Sequence, residues 1–506
     1  MKNQVQLITY VNRFGSENLP QLAQLLEGPL AGLFGGAHLL PFYYPIDGAD
    51  AGFDPIDHSI VDPRLGNWDD LHRLSDSVAV MADLVVNHIS YDSAQFQDYL
   101  EKGDASEFAP LFLKMSSIFP QGATEADLLN IYRPRPGMPF TFIPFKDGTR
   151  RIIWTTFTSK QIDIDVNHPL GRAYLSHILQ IFAQAGIRMI RLDAAGYAVK
   201  VAGSTCFMIP ETYAFIDKLR AEAQALGIEV LVEIHSYYQD QIEIAKKVDY
   251  VYDFALPPLV LDAFHQRSFH NLKKWLAIAP RNAITVLDTH DGIGIVDVGS
   301  SGAKPGLLTP EEIDGLVESI HENSQGRSRK ATGIAASNLD LYQVNCTYYE
   351  ALGRHDASYL LARAIQFFAP GVPQVYYAGL LAGENDMELL ARTGVGRDIN
   401  RPFYARADIL HALQKPVVEQ LCRLIRFRNT HPAFMGHFVV EETTNERLIL
   451  CWENGDEIAA LHIDLGAGDF AIHYTQAGQW QTVSGTVDRI ESENFLPAFS
   501  KEALSA

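Results

Sequence analysis

Asp193 follows Arg191 by two residues at the end of the apolar run Gly186-Ile187-Arg188-Met189-Ile190-Arg191-Leu192-Asp193. A guanidinium this close favours the ionised carboxylate, and an ionised Asp is what nucleophilic attack needs. Taken alone, Asp193 reads more simply as a strand-end residue capping the next helix. Three further stretches of the same kind change that reading. Val78 to Val86 ends at Asn87-His88, Ile228 to Val232 ends in Glu233, and Ala283 to Asp288 runs on into Thr289-His290-Asp291. Singly each is weak, because a His after a strand is usually packed or capping and Glu233 could be an exposed charge. If these strands share one barrel, His88, Arg191, Asp193, Glu233, His290 and Asp291 converge on one mouth, where α/β barrels carry their active sites. Paired carboxyl groups there, one a nucleophile and one a proton donor, are the apparatus that breaks a glycosidic bond.

The elements that must position these groups alternate along the chain. Strands are expected at Val5 to Tyr10, Ala37 to Phe42, Val78 to Val86, Ile187 to Leu192, Ile228 to Val232, Tyr250 to Asp253, Ala283 to Asp288 and Pro373 to Tyr377. Their near-continuous apolar character suits parallel strands buried on both faces. Helical periodicity lies between them, as at Leu19 to Leu26 and Ala362 to Phe368. The rhythm breaks twice, and such long irregular stretches read as inserted subdomains and not as loops. From about Pro432 short alternating strands take over, with Asn454-Gly455 as a hairpin signal between Leu448 to Trp452 and Ile458 to His462. The expected fold is α/β, a TIM (β/α)8 barrel with two inserted subdomains and a small C-terminal β domain. Its expected parts are 1–86, 168–291 and 354–432 for the barrel, 87–167 and 292–353 for the insertions, and 433–506 for the β domain.

Composition narrows the partners. With 506 residues, 47% hydrophobic and 20% charged, the chain can bury a large core. A net charge of −20 without a basic stripe argues against nucleic acid or an anionic membrane. Cys206, Cys346, Cys422 and Cys451 show no metal-ligand spacing and read as reduced, mostly buried thiols, which suits the cytoplasm. No signal-peptide core opens the chain, and no apolar run approaches the ~20 residues of a membrane span.

The four strand ends, in this order, resemble the short conserved regions of the α-amylase superfamily of glycoside hydrolases and transglycosidases. Longer strings resemble its sucrose phosphorylase branch: Ala49-Asp50-Ala51-Gly52-Phe53-Asp54-Pro55, Ile131-Tyr132-Arg133-Pro134-Arg135-Pro136-Gly137, Thr289 to Gly294, Ser337 to Asn345, and Gly396-Arg397-Asp398-Ile399-Asn400-Arg401. The resemblance implies a TIM barrel interrupted after its third strand. It also implies retaining phosphorolysis, sucrose and orthophosphate giving α-glucose 1-phosphate and fructose, and a homodimer.

The residues can be fitted to that chemistry. Retention needs the two carboxyl groups only ~5–5.5 Å apart. Asp193 suits the nucleophile, forming a β-glucosyl ester. Glu233, after Val230-Leu231-Val232, is expected to have a raised pKa and to protonate the leaving fructose. It then serves as base, or only as hydrogen-bond partner, for the incoming acceptor. By resemblance Asp291 holds sugar hydroxyls and stabilises the oxocarbenium-like transition state. Arg191, Arg397, His88 and His290 are the candidates to offset the carboxylates. Asp50 and Arg397 could clamp the far glucosyl hydroxyls, and Phe53 and Phe157 either form an apolar platform or pack in the core. A phosphate dianion needs a cation and donors, for which Arg135 and Tyr342 are the candidates, while Asp340 and Gln343 could bond fructose. Arg133 reads as a solvated loop charge. No nucleotide cradle such as GxxxxGK is present, so free orthophosphate is the expected donor. Many α-amylases carry Lys and His shortly after the nucleophile, the His holding calcium through its carbonyl. Here Gly196 and Tyr197 stand in those places, so no metal and no cofactor is expected, and Tyr197 could face the pocket. Competing readings are phosphorolysis of another small α-glucoside, plain hydrolysis, or a catalytically dead amylase-like partner protein.

Overall fold

The computed structural model describes residues 1–48, 50–133, 137–336 and 343–487. Eight parallel strands close into a barrel: β1 (Gln6–Thr9), β2 (Gly36–Leu39), β3 (Ala79–Val85), β4 (Met189–Asp193), β5 (Glu229–Val232), β6 (Tyr250–Asp253), β7 (Ala283–Thr285) and β8 (Val372–Tyr376). Each pairs with its neighbours in chain order, and β8 returns to β1. The strands are almost wholly buried, as their aliphatic composition demands. The crossover helices begin at legible caps. Asn18 accepts the Gln21 N–H before Leu19–Glu27, Asn67 and Asp70 form a reciprocal capping box before Trp68–Ser77, and Pro169 and Pro210 open their helices.

Register brings chemistry to one level. Arg191 of β4 lies beside Asp83 of β3, and Asp193 beside Val85. His38 of β2 reaches Asp83 with Nε2 at 2.9 Å, while the Tyr252 hydroxyl of β6 links His38 Nδ1 at 3.4 Å to the Gln374 amide oxygen of β8 at 3.2 Å. A buried polar layer therefore crosses the barrel beneath its mouth.

The expected β7 is too long. Its ladder stops at Thr285, because the Gln366 amide donates to the carbonyls of Thr285 at 2.9 Å and Gln374 at 2.8 Å, and Asp288 turns inward to Arg363. The stretch after β3 is more regular than its sequence suggests. It holds helices at Ala94–Lys102 and Glu125–Asn130, a hairpin of Phe140–Pro144 with Arg150–Trp154, and a pairing of His88–Ser90 with Gln161–Asp163. Leu113, Phe119, Ile131 and Trp154 of this stretch form a small separate core, which Cys206 from the loop after β4 joins. The stretch after β7 carries helices Pro310–Asn323 and Arg327–Ala336 and a pairing of Ile293–Gly294 with Gln343–Val344.

A five-stranded antiparallel sheet follows: β9 (His437–Val440), β10 (Arg447–Asn454), β11 (Glu457–Asp464), β12 (Asp469–Gln476) and β13 (Gln479–Thr486). Asn454 pairs with Glu457, so the two-residue turn is Gly455-Asp456, one position beyond the expected Asn454-Gly455. Burying Leu448, Leu450 and Trp452 on one face fixes that register, and Gly455 supplies the positive φ of +62°. All four cysteines are buried and unpaired, and no described helix is long and apolar enough to cross a membrane.

Candidate active site

The end of β4 gives the site its geometry. Arg191, 2% exposed, is enclosed by carboxylates: Nη1 lies 2.5 Å from Asp83 Oδ1 and 3.0 Å from Asp193 Oδ1, and Nη2 lies 3.0 Å from Glu233 Oε1. One guanidinium thus bridges the two expected catalytic carboxyl groups. Asp193 ends its strand with Ala194 at φ +56°, where the chain turns away. Glu233 follows β5 with its N–H on the Leu192 carbonyl at 3.3 Å, which sets it level with Asp193.

This sharing corrects the expectation that Arg191 keeps Asp193 fully ionised. Burial and the charges of Glu233, Asp83 and Asp291 outweigh Arg191 and push the Asp193 carboxyl well above its ordinary range. A cation divided among three carboxylates cannot fully serve each, so Arg191 does not offset the burial of Asp193. Asp83, below the mouth, goes the other way. Burial would raise it, but His38 and Arg191 hold it at about 2.

Asp291 stays ionised. Burial opposes this, but Arg397, Arg401 and Arg191 hold its carboxyl well below the usual range. Arg397 Nη1 lies 2.8 Å from Asp291 Oδ1 and Arg401 Nη2 3.7 Å from the same oxygen. Arg401 also donates from Nε to the His290 carbonyl at 2.7 Å, and the Asn400 amide donates to the Asp291 carbonyl at 2.7 Å. His290 does not offset the acids as expected. Burial, helped by Arg191 and Arg401, drops its imidazole to about 3. His88 is lowered by burial too, with its Nε2 on the Phe53 carbonyl at 3.0 Å. The offsetting charge belongs to Arg191, Arg397 and Arg401.

Phe53, 5% exposed, stacks on His290 with centroids 4.8 Å apart and planes at 8°, and the Arg191 guanidinium lies 5.5 Å from its centroid. Its ring therefore positions His290 as well as bounding the pocket. Asp50 receives the Gln161 amide at 3.4 Å and directs its N–H to Asp54 at 3.2 Å. Phe157 is half-buried, 5.4 Å from the His88 ring and edge-on to Tyr197 at 5.1 Å. Tyr132 stacks on Phe207 at 4.4 Å and Tyr197 at 6.1 Å, which completes an aromatic wall. The Tyr197 phenol is raised by burial and the nearby Tyr132 and Glu233. Gln343 accepts the Gly292 N–H at 3.2 Å and directs its amide nitrogen to His235 Nε2 at 3.2 Å. Arg135, Asp340 and Tyr342 lie outside the described residues.

Several residues of the site went unassigned by sequence. Arg401 sits four positions after Arg397 in a string already singled out, and Asp83 five before His88, so both were within reach. His235 was not, because its partners Asp297 and Gln343 lie far along the chain. Lys200 is the other omission. Its buried ammonium lies 2.7 Å from Asn87 Oδ1 and 2.8 Å from Asp163 Oδ2 and also donates to the Tyr197 carbonyl. The carbonyl that the resemblance associates with calcium is thus held by an internal cation. Donor atoms of Glu233, His235 and Asp291 lie within 4.8 Å of one another, but Arg191, Asp297 and Arg397 respectively engage them. That trio is better suited to face a polar substrate than to ligate an ion.

Comparison with known proteins bears on the family and the fold. Residues 34–273 match the family model described as "Alpha amylase, catalytic domain". The chain is 60% identical over 489 residues to a sucrose phosphorylase of Agrobacterium vitis, covering 96% of this chain and 100% of the relative. It is 52% identical over 464 residues to a sucrose phosphorylase of Bifidobacterium adolescentis, covering 91% and 92%. Among solved structures, sucrose 6F-phosphate phosphorylase from Thermoanaerobacter thermosaccharolyticum superposes with a TM-score of 0.88 at 37% identity, covering 95% of this chain and 97% of that one.

Proposed function

The chain belongs to the sucrose phosphorylase family of α-amylase-type enzymes, and from that premise we propose that it converts sucrose and orthophosphate into α-D-glucose 1-phosphate and D-fructose by double displacement at Asp193 and Glu233. The observation that carries this reading is the bridging of both carboxyl groups by Arg191 at 3.0 Å each. Glu233 delivers a proton to the departing fructose oxygen while Asp193 attacks the anomeric carbon. A β-glucosyl ester of Asp193 results. Phosphate then attacks the ester carbon from the face fructose left, its proton passing to Glu233, and the second inversion restores the α configuration.

The anionic Asp291, with Arg397 and Asp50, holds the glucosyl hydroxyls. His88 and His290, kept neutral by burial, add hydrogen bonds without charge, and Phe53, Phe157 and Tyr197 give the pocket its apolar surfaces. Arg135 and Tyr342 are assigned to phosphate, Asp340 and Gln343 to fructose. Transglucosylation to other hydroxyl acceptors follows from an ester that any well-placed acceptor can intercept. A cytoplasmic homodimer is the form we assign to the enzyme. Relatives at 60% and 52% identity that act on sucrose favour it over other α-glucosides.

Product analysis with sucrose, with and without orthophosphate, tests the proposal. Phosphate-dependent α-glucose 1-phosphate is expected. Glucose and fructose at a rate indifferent to phosphate would make the enzyme a hydrolase and remove the role given to Arg135.

A further inference from the structure

The second insertion contributes a buried carboxylate that holds one histidine of the site. Asp297 lies in the 3₁₀ turn Val296–Val298 and has no solvent exposure. Its Oδ2 is 3.0 Å from His235 Nδ1, and its Oδ1 accepts the Ser236 N–H at 3.2 Å and the Gln241 amide at 2.9 Å. An ionised carboxylate only accepts, so Nδ1 of His235 carries the proton. The close approach also depends on Gly294, where a Cβ would meet Asp297 Oδ2 at 2.3 Å and His235 Nδ1 at 3.3 Å.

The opposite edge of the imidazole faces the reaction. Nε2 lies 3.9 Å from Glu233 Oε1 and 3.2 Å from the Gln343 amide nitrogen. The orientation of that amide follows from its other bond, since its oxygen accepts the Gly292 N–H at 3.2 Å. Its NH2 must therefore point at Nε2, which answers with a lone pair. Both neighbours select the Nδ1–H tautomer, assigned here from the hydrogen-bond network. Phe254 fixes the plane of the ring, with centroids 3.8 Å apart and planes at 14°.

We propose that Asp297 is a positioning residue of the acceptor step: through His235 it fixes the tautomer and orientation of the edge that leaving fructose and incoming phosphate meet beside Glu233. The proposal rests on the phosphorolytic reading above. It ties the loop bearing Gln343 to the catalytic acid through one imidazole, because Asp297 and Gln343 both belong to the second insertion. Among the described residues the charged groups that face this ring are Asp297, Glu233 and Asp291. Burial lowers its pKa, but these charges outweigh burial and raise it, so the tautomer concerns the neutral form of the ring.

The test uses the full chain with Asp297→Asn and Asp297→Ala, each checked for an unchanged melting curve. Asn keeps the volume but presents an NH2 to Nδ1, which drives the proton to Nε2. α-Glucosyl fluoride forms the glucosyl ester without proton donation to the leaving group, so its fluoride burst reports the first half-reaction alone. Partition of the ester between phosphate and water reports the second. In Asp297→Asn the ratio of glucose 1-phosphate to glucose is expected to fall by about tenfold or more, with the fluoride burst slowed less than about twofold. Histidine-selective 15N NMR, assigned with His235→Gln, should show the His235 proton leaving Nδ1. Equal slowing of both half-reactions, or an unchanged partition, overturns the proposal. If the unsubstituted enzyme makes only glucose from the fluoride, the phosphorolytic reading fails instead, and the NMR tautomer still decides whether Asp297 orients His235.

Discussion

Replacing Lys200 by Met removes the cation that ties three parts of the site together. Its ammonium spans Asn87 at the end of β3, Asp163 in the first insertion and the Tyr197 carbonyl after β4. Both Lys200 and Asp163 side chains are essentially unexposed, at 1% and 0%. Met matches the stem in length and keeps its packing, so the change isolates the charge. Asp163 would retain its bonds from Thr156 N–H, at 3.0 Å, and the Thr156 hydroxyl but would lose its only counter-charge among the described ion pairs. Breaking one side of a buried pair costs about 3–5 kcal/mol. Unfolding entropy of about 2.1 cal/mol/K per residue gives roughly 1 kcal/mol/K for a chain of this size, so the melting temperature should fall by about 3–5 °C. Differential scanning calorimetry measures this directly. Adding Asp163→Asn should recover much of the loss, since the uncompensated charge disappears. A single variant that melts within about 1 °C of the parent, or a double variant worse than the sum, would refute the assignment of Lys200 as the neutralising cation.

Arg397→Met removes the cation that does most to hold Asp291 ionised. Activity should fall by about 10²–10³-fold, and the acid limb of kcat/KM should move to higher pH, because the carboxyl is then protonated more easily. A pH–rate profile with an unmoved acid limb contradicts this. Stability should also respond to the buried histidines. His58, fully buried against Tyr174 with its Nδ1 3.0 Å from the hydroxyl, is lowered to about 3 by burial and the neighbouring His88. Its folded pKa lies below the unfolded value of about 6.5, so the unfolded chain binds the extra proton and stability is lost as pH falls from about 6.5 toward 3. Melting temperatures between pH 7 and pH 4.5 should decline less steeply in His58→Gln than in the parent. Equal slopes would exclude His58 as a contributor.

What the sequence made legible were features carried by contiguous residues. Aliphatic runs ending in Asn87-His88, Arg191-Leu192-Asp193, Glu233 and His290-Asp291 announced strands and the polar ends they carry together, because strand direction decides which end faces the mouth. β6 was read with its bounds. β7 was not, since its ladder is ended by Gln366, more than 80 residues away. The hairpin between β10 and β11 slipped by one residue, because burial of Leu450 and Trp452 outweighs the Asn-Gly preference. Within the site, the sharing of Arg191 among Asp83, Asp193 and Glu233 could not be read from one strand. The Asp297–His235 pair and the Lys200 network join residues distant in the chain, and only closure of the barrel with its insertions brings them into contact. Charge states followed the same rule. Asp291 and Asp193 are both buried acids, yet one has Arg397 and Arg401 beside it while the other shares a single guanidinium.

Double displacement requires that Asp193 form a covalent glucosyl ester with Glu233 as its acid. Glu233→Gln mixed with α-glucosyl fluoride, which needs no acid, should accumulate that ester. Rapid denaturation, digestion and mass spectrometry would then locate one glucosyl unit on the peptide containing Asp193, and Asp193→Asn in the same background would abolish it. A glucosyl group on another carboxylate, or turnover to a β-configured product with no ester at all, would contradict the account.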